Sequence, residues 1–180
     1  MLTIPSTFKP SKRAPSLKEL DALYNFLEPQ NGEIKDVLEF SCGITSYVIY
    51  NACDKFYNYT AIESFQPCID MVKQHCPDIS VISKWTDIPD NKFDLVFVDG
   101  SSGYPLDLKP LSPTPKCPIP FRNDAIKYVE PKLSKNAIVI IHDYNHHDAG
   151  YRLPRKYLED NNYELIWHCD IGNGLGAYTK

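Results

Sequence analysis

From Ser16 onward the apolar residues alternate between two spacings. Leu17, Leu20, Leu23, Tyr24 and Leu27 recur at helical intervals, and Glu19 stands three positions after Ser16, as in a capping box. Pro29 to Glu33 ends that helix. Short apolar runs then predict strands at Asp36 to Phe40, Tyr57 to Ile62 and Ile79 to Ser83, with helices between them at Thr45 to Cys53 and from Pro67 to His75. Phe93 to Val98 and Ala137 to Ile141 are continuously apolar, the pattern of strands buried on both faces of a parallel sheet. Helices are expected at Asp124 to Leu133 and from about Leu153 to Asp160. Tyr163 to His168 and Leu175 to Thr179, joined by Asp170 to Gly174, read as an antiparallel pair. The expected fold is α/β: a doubly wound, mostly parallel seven-stranded sheet closed by a C-terminal antiparallel hairpin.

Two stretches escape this periodicity. Residues 1–15 mix Pro, Ser, Thr, Lys and Arg and read as an N-terminal arm ordered by contact with something else, while 16–180 reads as a single domain. Ser101 to Pro120 carries six prolines, and a loop of that length suits a lid or a binding loop.

Composition narrows the class. Hydrophobic residues make up 43% and charged residues 23% of the 180 positions, as in a soluble globular protein. The longest apolar run, Ala137 to Ile141, is far short of the about 18 residues of a spanning helix, so no membrane association is expected, and the polar N-terminus does not suit a secretory leader. A net charge of −4 argues against general nucleic-acid binding. The six cysteines are irregularly spaced without a Cys-x-x-Cys pair, as expected of reduced core thiols in a cytoplasmic protein.

Chemistry gathers at the strand ends, where doubly wound sheets bind ligands. Glu39, Glu63, Asp99 and Asp143 each stand at or beside the carboxyl end of a different expected strand. In Val37-Leu-Glu-Phe-Ser-Cys-Gly-Ile-Thr-Ser46 an apolar run ends in an acid, turns through Gly43 and enters a helix. Twenty positions on, Ile62-Glu63 ends the next strand, matching the interval of about 20 between a nucleoside-binding turn and its ribose acid. The helix start offers unpaired N–H groups, and an acid such as Glu63 can accept from two ribose hydroxyls.

These segments, with Phe93-Asp-Leu-Val-Phe-Val-Asp-Gly100 and Ala137-Ile-Val-Ile-Ile-His-Asp143, resemble the class I S-adenosylmethionine-dependent methyltransferases, in a subgroup whose strands end in Val-Asp-Gly and His-Asp. The terminal hairpin belongs to the same resemblance. It departs from the family's turn in having one glycine, with Ser41, Cys42 and Thr45 around it. The resemblance implies S-adenosyl-L-methionine as cofactor, held by Glu39, Cys42, Gly43, Glu63, Ser64, Trp85, Asp87 and Asp99. It implies methylation of a small-molecule hydroxyl, such as a sugar or secondary metabolite, with Asp143 and His142 as the catalytic candidates for proton removal. Tyr104, Arg122, Tyr151 and Arg152 are expected around the acceptor, the arginines suiting an anionic group on it.

Some relatives use a divalent ion, which Asp99, Asp143 and Asn145 would imitate with magnesium. This is not favoured, because Tyr144 separates the acid from the amide. His142, His146 and His147, with Asp143 and Asp148, form a second grouping compatible with a transition metal. The alternative function is a catalytically silent cofactor-binding or regulatory module of the same fold; a homo-oligomer is compatible with either. A nicotinamide oxidoreductase is disfavoured by the lack of a Tyr-x-x-x-Lys pair, and base methylation by the lack of an Asn-Pro-Pro-Tyr motif.

Overall fold

The structure is a computed structural model describing residues 3–6, 8, 14–99, 122–145 and 149–180. Helix α1 (Leu17–Leu27) begins with the expected capping box: the Glu19 N–H donates to Ser16 Oγ, and the Ser16 N–H donates to the Glu19 carboxylate at 2.6 Å. Leu20, Leu23 and Leu27 are buried, whereas Leu17 on the first turn is exposed.

Strands β1 (Asp36–Phe40), β2 (Asn58–Ile62), β3 (Ser80–Ile82), β4 (Phe93–Val98) and β5 (Leu133–His142) pair in parallel. Helices α2 (Ile44–Ala52), α3 (Gln66–His75) and α4 (Arg122–Val129) lie in the connections, and α5 (Ala149–Asp160) precedes β6 (Glu164–Cys169) and β7 (Leu175–Thr179). The sheet order is β3-β2-β1-β4-β5-β7-β6, with β7 antiparallel to both its neighbours. This is the seven-stranded α/β sheet with a C-terminal hairpin that the periodicity predicts.

Alternation within the central strands explains why they read as unbroken apolar runs. Leu95 and Phe97 of β4 join α1 and α2 in one core, while Val96 and Val98 join α4 and α5 in the other. The hairpin inserts β7 next to β5 because Leu175, Ala177 and Tyr178 are buried and serve both cores. β6, largely exposed, takes the edge, where Trp167 stacks on Phe26 of α1 at 4.5 Å.

Three boundaries lie four residues from expectation, the others within two. β5 begins at Leu133, four residues before Ala137, because Leu133 pairs with Phe93 and a register shift absorbs the polar residues that follow. α4 ends at Val129, before Pro131, in a 3-10 turn at Glu130–Lys132. α5 starts at Ala149 rather than Leu153, through a first turn that lacks apolar periodicity.

Part of the arm is folded onto the domain. Phe8 is buried against the rings of Tyr47 and His75, and Tyr47 Oη donates to the Thr3 carbonyl at 3.3 Å. Among the described residues all cysteines are free thiols: Cys42, Cys53, Cys76 and Cys169 are buried and Cys68 is half-buried. Burial pushes Cys53 and Cys76 up to about 12 and Cys42 higher still, which makes them inert. Cys117 lies outside the described residues, and no helix among them is long and apolar enough to cross a membrane.

Phe97 is fully buried on the central strand. Phe97→Ala is expected to cost about 3–5 kcal/mol, read as a lowered urea midpoint with an unchanged slope.

Candidate functional site

The first turn of α2 is braced from beneath. Glu39 is fully buried and accepts from Thr45 Oγ1 at 2.7 Å, Ser46 Oγ at 2.6 Å and Tyr59 Oη at 2.8 Å. Ser46 Oγ in turn accepts from the Gly43 N–H at 2.9 Å. Burial pushes the Glu39 carboxyl up to about 7 against the pull of Ser46, Thr45 and Tyr59. Glu39 therefore supports the turn from behind, with its oxygens already engaged, instead of presenting them at the surface. Tyr59 was not foreseen in this role. Its even-numbered spacing from the strand's other inward residues is no different from that of a core aromatic.

Above this brace the backbone is unusual. Ser41 has φ 76, the left-handed region where glycine is ordinarily found. Gly43 is extended, and a Cβ placed on it would meet no atom within 4 Å. That gap lies at the carboxyl edge of the sheet, where a ligand can approach the backbone closely.

Glu63, nearly buried at the end of β2, faces this turn. One carboxylate oxygen accepts from the Ser64 and Phe65 N–H groups at 2.7 and 2.8 Å. The other accepts from Ser41 Oγ and the Cys42 N–H at 3.2 and 3.3 Å. The structure thus brings Cys42, Gly43 and Glu63 together with the exposed Ser64. Phe65, which sequence reasoning passed over, is 61% exposed beside the acid. An aromatic between an acid and a helix-opening proline was the available signal. Trp85, half-buried, meets the Tyr128 ring edge-on at 4.3 Å, so it anchors the turn after β3. Asp87 in that turn is exposed and accepts from Thr86 Oγ1 at 3.2 Å.

At the ends of β4 and β5 lies a buried ionic cluster. Arg122 Nη2 donates to Asp99 Oδ1 at 2.9 Å and to Asp143 Oδ2 at 2.6 Å, and Nη1 donates to the His142 carbonyl at 2.6 Å. His142 Nδ1 lies 2.8 Å from the same Asp99 oxygen. His142 Nε2 has no hydrogen-bond partner among the described residues but lies 3.7 Å from Glu19 Oε1. Glu19 is buried as well, and it accepts from the Gly174 N–H at 3.0 Å. The hairpin closes onto it: at Gly172, with φ +61, a Cβ would come within 2.5 Å of the Glu19 carboxylate.

Burial alone would lower the His142 pKa, but Asp99, Glu19 and Asp143 outweigh it and raise it to about 10. For Glu19, burial raises the pKa, yet His142 and the Ser16 contacts bring it down to about 2. At neutral pH the imidazole is thus a cation with no lone pair, sealed from solvent. With its ring nitrogens facing Asp99 and Glu19, His142 is placed to hold this cluster together, a role apart from the proton removal expected of it. Asp143, held at φ 58, keeps Oδ1 without a hydrogen bond among the described residues.

Two further expectations change. Arg122 was assigned to an anionic acceptor but is spent on Asp99 and Asp143. Asn145 does not complete a set with these acids: its N–H donates to the Asn173 carbonyl at 2.8 Å and its side chain packs beside Gly174. Among the described residues, the one that joins Asp99 and Asp143 is His142. Magnesium does not fit this arrangement, because the guanidinium already bridges the two carboxylates. Tyr104, His146, His147, Asp148 and the stretch 101–120 lie outside the described residues, as do the side chains of Tyr151 and Arg152.

The chain's fold is that of the class I methyltransferases. An N-methyltransferase, NodS from Bradyrhizobium japonicum WM9, superposes with a TM-score of 0.64 at 14% identity, covering 91% of this chain and 95% of that one. A protein from Staphylococcus aureus, assigned as a caffeoyl-CoA O-methyltransferase, does so with 0.64 at 16%, covering 92% and 84%. A methyltransferase from Geobacter sulfurreducens reaches 0.67 at 13%, covering 93% and 80%. No protein-family profile and no curated protein matches the chain in sequence.

The Glu19–His142 contact makes stability depend on pH from both sides. The His142 contribution is complete below about 6.5 and is lost as pH rises through about 10. The Glu19 contribution is complete above about 4.5 and is lost as pH falls towards about 2. Glu39, raised to about 7, has finished titrating before the alkaline loss is complete. Glu19→Gln is expected to lower neutral-pH stability by about 1–3 kcal/mol and to flatten the alkaline decline, as measured by urea midpoints at about pH 8 and about pH 10.

Proposed function

We propose that this protein is an S-adenosylmethionine-dependent methyltransferase acting on a hydroxyl of a small molecule, such as a sugar or secondary metabolite. The observation that carries this reading is Glu63 at the carboxyl end of β2, opposite a turn with open space at Gly43. The cofactor, when bound, supplies an electrophilic methyl group on a sulfonium. Glu63 would hold its ribose hydroxyls. The two longer contacts, from Ser41 and Cys42, are the ones to exchange, while the shorter Ser64 and Phe65 bonds keep the carboxylate in place. Ser64, Phe65, Trp85 and Asp87 would flank the nucleoside, and Cys42 and Gly43 its amino acid part. Asp99 orients this edge through its bonds to His142 and Arg122. Positioning supplies most of the rate in such a transfer, with one proton left to remove. Asp143 Oδ1 is the base assigned to that proton, since His142 carries a charge.

A cofactor-binding module without turnover is the second reading. It draws support from Glu63, whose carboxylate has four donors without any ligand. Calorimetric titration with S-adenosylmethionine and S-adenosylhomocysteine is expected to show one-site binding, weakened about 10- to 100-fold in Glu63→Ala. No binding by the parent protein would sink both readings. Asp143→Asn is expected to reduce S-adenosylhomocysteine release, over a panel of phenols and sugars, by about 100-fold or more with affinity nearly intact. Undiminished release would remove Asp143 from the chemistry, and binding without release from any acceptor would favour the silent module.

A further inference from the structure

Asp99, His142 and Asp143 each bring a donor atom to within 4.8 Å of the others, the geometry of a three-ligand cation site. The space between them is not left to solvent. Arg122, only 5% exposed, puts Nη2 at 2.9 Å from Asp99 Oδ1 and 2.6 Å from Asp143 Oδ2. We infer that Arg122 is the resident cation of this strand-end site, its guanidinium standing in for a divalent ion and keeping one out.

Three features support this. The first is space: a small divalent ion lies about 2.0–2.4 Å from its oxygen ligands, so an ion bound by both carboxylates would overlap Nη2. The second is charge. The guanidinium puts a permanent positive charge against both Asp99 and Asp143, and it cannot relieve the crowding by losing its proton. The third is anchorage, because Nη1 bonds the His142 carbonyl at 2.6 Å and so fixes the guanidinium within the site. An incoming ion would have to expel a buried arginine and also break the His142 Nδ1–Asp99 contact. The same arginine opens α4, so the cation is supplied from the first turn of that helix.

Cation occupancy is independent of methyl transfer, because it is read with no cofactor or acceptor present. The full chain is titrated with Mn²⁺ and with Co²⁺, a pair that tests oxygen and nitrogen ligands alike. The parent protein is expected to show no saturable binding up to about 1 mM, the weak end of protein divalent sites. Arg122→Met keeps the side-chain bulk without its charge and is expected to bind one ion at least tenfold more tightly, with the binding lost again in Arg122→Met/Asp143→Asn. Arg122→Gln serves if the methionine variant does not fold by circular dichroism. Saturable binding by the parent protein that disappears in Asp143→Asn would overturn the inference without any arginine variant. A folded arginine variant that takes up no ion would overturn it equally.

Discussion

The contact between Glu19 and His142 is the one on which the rest of the site depends. It joins α1, the first helix, to the end of β5, at the far side of the chain's topology, and Gly174 of the hairpin turn bonds the same carboxylate. Isolated, either charge would be costly to bury. Together with Asp99, Arg122 and Asp143 they form a chain of alternating sign in which every member has an opposite neighbour. Removing one member would leave a buried charge uncompensated, which costs more than the assembled cluster contributes in net stability. The cluster is therefore better understood as a register device: α1, β4, α4, β5 and the hairpin must all be in place before the charges are satisfied.

A second buried acid organises the other half of the carboxyl edge in a different way. Among the described residues Glu39 has hydroxyl donors and no cation beside it, and burial shifts its carboxyl upward instead of down. The two acids show how environment divides one functional group into two tasks. Glu19 stays ionised and holds a cation, while Glu39 sits near its titration point and holds a turn. Above that turn, Glu63 accepts from backbone N–H groups and faces open space at Gly43. The carboxyl edge of the sheet is thus braced by two internal acids.

Much of this was visible in the order of residues. The capping box at Ser16 and Glu19, the acids Glu39, Glu63, Asp99 and Asp143 at or beside four strand ends, and the hairpin all follow from local spacing, and the structure has them there. The larger boundary shifts came where a tertiary pairing or a proline overrode the apolar period, as where Leu133 found Phe93 across the sheet and where Pro131 stopped α4. The functions of the polar residues were less legible. Arg122 opening a helix looks the same in sequence whether it faces an acceptor or an internal carboxylate. His142 beside Asp143 looks like a base until its two ring nitrogens are found between Asp99 and Glu19.

What the sequence determined by itself is therefore the scaffold and the chemical types gathered at its edge, because hydrophobic period, caps and turn residues act over a few neighbouring positions. Only the tertiary structure decided which charges pair. Glu19 and His142 are separated by most of the chain yet lie 3.7 Å apart, and a residue's protonation follows from its neighbours in space. Hence Glu19 became more than a helix cap, His142 became a fixed cation, and Arg122 took the place where two strand-end carboxylates would otherwise have invited a metal.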